Sequence, residues 1–171
     1  MQNHFELFHL PAQFAIDGAA LDSAYREVQS RVHPDRFVSA TDAEKRVAMQ
    51  WATRANEAYQ TLKHPQKRAQ YLCELHGVDL QTESNTAMPM AFLMQQMEWR
   101  DELGEARGAR DLALLERLDG QLRRARKEQL DTVAAQLDAG DYAAAAQGVR
   151  ALMFLEKFGE EVRFAFDAIE A

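Results

Sequence analysis

The stretch "RVHPDRF", residues 31–37, decides how the first half of the chain is read. Upstream of it, Leu21, Ala24/Tyr25, Val28 and Val32 recur at spacings of three and four, the period of a helix with one buried stripe. Asp17 is a suitable N-cap for that helix. Pro34 ends it, because the residue before a proline avoids the α region, so the helix is expected to stop at Val32 or His33. Downstream, "TDAE" at 41–44 has the spacing of a capping box, with Thr41 as N-cap and Glu44 three residues on. The helix it opens is expected to reach Lys63 and to bury Val47, Trp51, Ala55, Ala58/Tyr59 and Leu62. Two long helices around so short a connection predict an antiparallel hairpin with His33, Pro34 and Asp35 at its tip.

The rest of the chain is punctuated by the same residue types. Pro11 closes a short aromatic segment, "HFELF" at 4–8, and Phe37 is placed to tuck back into the core. Pro65 fits the first position of a third helix, "PQKRAQYLCELHG", which Gly77 would close. Residues 77–88 are polar without a helical period, and a linker is expected over 77–87. Pro89 then opens a helix through Leu103, and the glycines of "LGEARGA" are expected to mark a turn. A second helix follows from about Ala109 to Ala139. Gly140 and Asp141 supply a stop and a start, and a third helix runs almost to the end. The prediction is an all-α chain, with a C-terminal three-helix bundle over 88–171.

Composition bounds the function. The 171 residues are 47% apolar and 27% charged, ordinary for a soluble globular protein of one domain or two small ones. Cys73 is the only cysteine, so neither an intrachain disulfide nor a multi-cysteine metal site can be built. The first residues lack a basic stretch followed by an apolar core, and no apolar run approaches the ~20 residues of a bilayer span. No signal peptide is therefore expected, and the cytoplasm is the expected compartment. The net charge of −7 is lopsided: residues 1–76 hold nine basic and nine acidic residues, so the whole excess lies in 77–171. Two units with different partners are expected, and neither nucleic acid nor a membrane surface suits the acidic half.

The chemistry of the hairpin tip is open on the residues alone. No Ser or Cys nucleophile pairs recognisably with His33 and Asp35, and no glycine-rich oxyanion turn accompanies them, so an enzyme is not expected. One His and one Asp do not complete a metal site. The bland reading is an Asp that caps a turn beside an exposed His. Cys73 and His76, spaced C-x-x-H, supply two ligands only, and Cys73 reads as a buried structural cysteine, so no metal or cofactor is expected.

On a helical wheel of residues 88–105, Met88, Phe92, Trp99 and Leu103 share one face. Met90, Leu93, Met94 and Met97 form another, beside an acidic stripe of Glu98, Asp101, Glu102 and Glu105. The second face either widens the stripe toward two neighbouring helices or forms an adaptable, methionine-rich patch for a partner protein. A Cu(I) site built from the methionines is a third reading, weakened because the wheel separates Met88 from the others.

A family resemblance narrows these choices. "AYREVQSRVHPDRF" at 24–37 and "RANEAYQTLKHPQKRAQYL" at 54–72, with "FELFHLP" at 5–11, resemble a J domain over residues 5–76. The resemblance implies a J domain over 1–76 that docks on an Hsp70 and stimulates its ATPase. It implies contact through His33, Pro34 and Asp35, with Arg26, Arg31 and Arg36 facing an acidic surface. Glu27 stands where many J domains carry a base. "AFLMQQMEWRDEL" at 91–103 and "VRALMFLEKF" at 149–158 extend the likeness to the HscB (Hsc20-type) family over nearly the whole chain. That likeness implies the specialised Hsp70 HscA and the iron–sulfur scaffold IscU as partners. Leu93, Met94, Met97, Glu98, Asp101, Glu105 and Phe154 would then contact the scaffold. Met97 replaces a common Leu, and Asp101 a common Glu. The paired cysteines of eukaryotic members are absent, which points to a bacterial member. A J protein for another client is the alternative. No large self-complementary apolar surface is legible, so a monomer is expected.

Overall fold

The computed structural model describes residues 2–80 and 88–170, and the described residues contain helices, turns and no strand. The chain divides into two compact units, Met1–Leu72 and Cys73–Ala171.

The first unit is built from α1 (His4–Leu7), α2 (Gly18–Arg31), α3 (Asp42–Lys63) and most of α4 (Pro65–Leu75), with a 3-10 turn over Pro34–Phe37. A reciprocal capping box that the sequence reading missed opens α1. The Asn3 side chain accepts from the Glu6 N–H at 2.8 Å, and the Glu6 carboxylate accepts from the Asn3 N–H at 3.3 Å. This short helix delivers Phe5, Leu7 and Phe8 to the core. Asp17 caps α2 and Thr41 caps α3, as their spacing predicts.

The α2–α3 pairing is antiparallel. Tyr59 donates to the Asp22 carboxylate at 2.7 Å, Tyr25 donates to the Asn56 side chain at 3.1 Å, and the two tyrosine rings stack at 4.1 Å. The buried stripe of α3 is Ala48, Ala55, Ala58 and Leu62; Val47 and Trp51, expected inside, are exposed. Mostly small residues on the inner stripe leave room for α1 and α2, while Trp51 is covered outside by the Arg54 guanidinium, 5.4 Å from its ring. Buried Arg68 donates to the carbonyls of Leu62 and Phe14, both at 2.7 Å, satisfying an orphan acceptor at the end of α3 and tying down the loop before α2.

The second unit contains α5 (Met90–Ala109), α6 (Leu112–Asp138) and α7 (Tyr142–Glu170). Two glycines of α7 let α6 approach. A Cβ on Gly148 would lie 2.5 Å from Val133 Cγ2, and one on Gly159 would lie 3.4 Å from Leu122 Cδ2. These contacts run in opposite senses along the two helices, so the pair is antiparallel. α5 lies against them through buried Trp99, Leu103 and Ala106, with Trp99 stacked 5.8 Å from Phe158.

One boundary differs from the expectation. Gly104 and Gly108 do not form a turn but lie within α5, which continues to Ala109, and α6 begins at Leu112. Each glycine costs about 1 kcal/mol relative to Ala in a helix, but Leu103 and Ala106 are buried on the same turns and hold the backbone helical. The break comes at Arg110, which takes the left-handed conformation at φ 51°; Asp111 then caps α6 through the Leu114 N–H. Gly140 and Asp141 divide α6 from α7 as predicted.

The start of the second unit is fastened to α7. His76 stacks on Tyr142 at 3.8 Å, and buried Arg150 donates to the carbonyls of Asp79 and Leu80, both at 3.4 Å. The remainder of the expected linker, 81–87, lies outside the described residues. Among the described residues no helix is long and apolar enough to cross a membrane.

Two measurements check this account. Gly148→Ala should lower unfolding stability by about 1–3 kcal/mol, read by urea denaturation, because its methyl group meets Val133 in a packed interface. His4 stacks on Tyr71 at 4.3 Å, and burial, with Arg54 nearby, holds its imidazole below the ordinary value of 6.5 against the pull of Glu57. The native state therefore keeps His4 neutral where the unfolded chain takes up a proton. Stability should fall as pH drops below 6.5 and level off beneath the native value. His4→Phe should remove that part of the slope in unfolding midpoints measured between about pH 7 and pH 5.

Candidate functional site

Two surfaces, one on each unit, carry the residues singled out above. On the first unit, α2 stops at Arg31 and Val32 caps it. His33 is extended, at φ −60° and ψ 137°, as its place before proline requires. Pro34 then starts the 3-10 turn, where its missing N–H costs nothing. The His33 Nδ1 accepts from the Asp35 N–H at 3.2 Å, so a neutral His33 carries its proton on Nε2.

That bond fixes the turn and leaves the Asp35 carboxylate outward, with its side chain 89% exposed. Among the described residues its only partner of opposite sign within 4 Å is His33 itself, at 3.5 Å and only when the imidazole is protonated. Arg26, His33, Asp35 and Arg36 line one shallow cleft of about 570 Å³, together with Gln29 and Ser30. The sequence reading did not single out those last two, although Gln29 and Ser30 follow Arg26 by three and four residues, the helical spacing that puts them on its face. Arg31 stands apart from the cleft and is held by Glu27 at 2.5 Å. The pair is well exposed, so it adds little stability and its geometry is easily exchanged for another partner.

The second surface lies on α5 and α7. The wheel's two faces are both present: Trp99 and Leu103 are buried and Met88 and Phe92 half-buried, whereas Met90, Leu93, Met94 and Met97 are all exposed, Met97 by 67%. Phe154 of α7 joins the exposed set, edge-on to Phe92 at 6.2 Å. Glu98, Asp101 and Glu105 are exposed beside it, and among the described residues none has a cation within 4 Å. The neighbouring cation, Arg100, is instead taken by Glu161 at 3.2 Å. An apolar, sulfur-rich patch with a free acidic rim suits a protein partner that offers apolar residues ringed by bases.

Cys73 is fully buried, its Sγ 3.8 Å from the Tyr142 carbonyl. Burial, helped by Glu74 and opposed by Arg150, pushes its thiol up to about 11, so it stays protonated at neutral pH. Among the described residues no group of three or more His, Cys, Asp and Glu could hold a metal ion.

Comparison with known proteins places both units. Residues 3–71 match the DnaJ domain model, and residues 88–163 match the HscB C-terminal oligomerisation domain model. The co-chaperone protein HscB homolog of Burkholderia multivorans is 56% identical over 168 residues, covering 98% of this chain and 96% of the relative. That of Burkholderia pseudomallei is 55% identical with the same coverage. Among solved structures, the chaperone HscB from Vibrio cholerae superposes with a TM-score of 0.85 at 38% identity, covering 98% of this chain and 99% of that one. The human co-chaperone protein HscB reaches 0.89 at 27% identity, covering 96% and 82%.

The two faces of α5 make a direct test. Leu93→Ala with Met97→Ala should leave helicity and unfolding midpoint nearly unchanged, because neither side chain belongs to the buried core. Trp99→Ala, on the opposite face, should cost about 3–5 kcal/mol. Circular dichroism during urea unfolding separates the two outcomes.

Proposed function

The chain belongs to the HscB family of co-chaperones, and on that premise we propose that it brings an iron–sulfur scaffold protein of the IscU type to a specialised Hsp70 of the HscA type and stimulates that chaperone's ATPase. The observation that carries this reading is Asp35: a carboxylate almost wholly exposed at the tip of a helical hairpin, beside a histidine and two arginines.

The physical roles divide between the units. On the first, Arg26 and Arg36 steer an acidic surface of the Hsp70 into contact, and Arg31 exchanges Glu27 for it. Pro34 and the His33–Asp35 bond hold the carboxylate in one presentation, so little freedom is lost when it meets a basic group of the partner. On the second unit, Leu93, Met94, Met97 and Phe154 receive apolar residues of the scaffold, and Glu98, Asp101 and Glu105 ring them with negative charge. Unbranched methionines suit a client that changes shape, because they repack cheaply. Carrying both surfaces on one chain converts the meeting of client and chaperone into an intramolecular event. No bond is made or broken by this protein's own residues in such a cycle, and the hydrolysis belongs to the Hsp70.

Asp35→Asn should abolish stimulation of the Hsp70 ATPase while leaving scaffold binding intact. The Leu93→Ala, Met97→Ala pair should do the reverse, weakening scaffold binding and removing the extra stimulation that the scaffold adds. Steady-state ATPase assays with and without the scaffold read both effects. Stimulation that survives in the Asp35→Asn variant would contradict the reading of the hairpin tip.

A further inference from the structure

The second unit has a recess that the exposed patch of Leu93 and Met97 does not use. It is a cleft of about 250 Å³ where the start of α5 meets α6 and α7. Met88 and Phe92 line it from the α5 end, Gln129 and Gln136 from α6, and Gln147 and Gly148 from α7. Its origin lies in the glycine. A Cβ on Gly148 would stand 2.8 Å from the Gln129 Nε2 and 3.6 Å from the Gln136 Oε1, so both amides reach over bare backbone. The two glutamines are seven residues apart and share one face of α6. The Gln136 Oε1 is buried and has no hydrogen-bond partner among the described residues. A buried acceptor left unpaired is destabilising, and folded proteins keep few of them.

We infer that this cleft takes one apolar residue of the scaffold protein together with its main-chain N–H, which donates to the Gln136 Oε1. The inference rests on the scaffold-binding reading above and adds a polar contact to it. The lining chooses the chemistry of the occupant. No residue of the cleft is charged, so an ionic group would lose its hydration there without a counter-charge. Met88 and Phe92 offer apolar walls, and the unpaired amide oxygen calls for a donor. The volume falls below the ~300–1,000 Å³ of typical small-molecule sites and suits a single side chain with its peptide group. Position chooses the partner. Phe92 lines the cleft and also meets Phe154 edge-on at 6.2 Å, so the cleft is continuous with the exposed apolar patch. A segment seated on Phe154 and Leu93 therefore has its next residue within reach of this recess. Rotation of the half-buried Gln129 side chain uncovers the acceptor as that residue enters.

The test uses the full-length protein and the purified scaffold of the same organism, with affinity read by isothermal titration calorimetry and stability by urea unfolding. Gln136→Leu removes the acceptor and keeps most of the side chain's bulk. It should weaken scaffold binding about tenfold while the unfolding midpoint stays level or rises, because an unpaired buried oxygen is lost. Gln147→Phe fills the cleft from an exposed position of α7 and should weaken binding by a similar factor without loss of stability. Wild-type affinity in both variants, beside weakened binding by the Leu93→Ala, Met97→Ala pair, would overturn the cleft and leave the scaffold reading standing. Affinity in Gln136→Leu that falls only together with the unfolding midpoint would reduce Gln136 to a packing role and overturn the inference as well. A wild-type chain that does not bind the scaffold would overturn the reading beneath it. Sedimentation that finds wild-type dimers, broken by Gln147→Phe, would assign the cleft to a second copy of the chain and so also overturn the inference.

Discussion

Pro34 is the constraint on which the first unit depends. It has no N–H to continue the ladder of α2, and it holds His33 in the extended region. The helix must therefore end at Arg31, with Val32 as its C-cap. The chain must reverse before Thr41 can start α3. Every feature of the tip follows from that interruption. Because His33 is extended, its imidazole faces the Asp35 N–H and accepts its bond. Because that N–H is satisfied within the turn, the Asp35 carboxylate is spared for solvent or a partner. A helix passing straight through this segment would place His33 and Asp35 two residues apart, on divergent faces.

The second unit solves a different problem. Its interior is set by the close approach of α6 and α7 at Gly148 and Gly159, and α5 is added through one stripe ending in Trp99, Leu103 and Ala106. That stripe is narrow, so the other apolar face of α5 has no helix left to cover it. Such a face is costly to keep for a protein that has no use for it, since exposed methionines and leucines invite association. Its acidic rim limits that hazard, because like charges repel a second copy while they attract a basic partner. Burial of Cys73 as a neutral thiol fits the same division of labour: the chain presents surfaces and keeps its one thiol out of reach.

Much of this was legible in the sequence because the signals were local. Asp17, Thr41, Pro65, Gly77, Gly140 and Asp141 act on backbone groups within a turn of themselves, and their helices begin and end close to where they point. The failures had a common cause. Gly104 and Gly108 look like a break because glycine is a poor helix former, yet burial of Leu103 and Ala106 outweighs that preference. Val47 and Trp51 look like core because they are large and apolar. The core chose the stripe of Ala48, Ala55 and Ala58 because three helices had to meet there and only small side chains left them room. The capping box at Asn3 and Glu6 was readable in principle, from its spacing alone.

The sequence by itself determined that the chain is helical, where most helices start and stop, that a proline turn tips a hairpin, and that α5 carries two apolar faces. These are consequences of period and of residue chemistry acting within a few positions. Only the tertiary structure decided which of the two faces is buried, since periodicity marks both alike and packing against α7 takes one. Only the tertiary structure separated Arg31 from Arg26 and Arg36, because the difference lies in which groups converge in space. It also opened the cleft over Gly148, since a cavity is the shape left over when elements distant in sequence have packed, and no single stretch of residues encodes it.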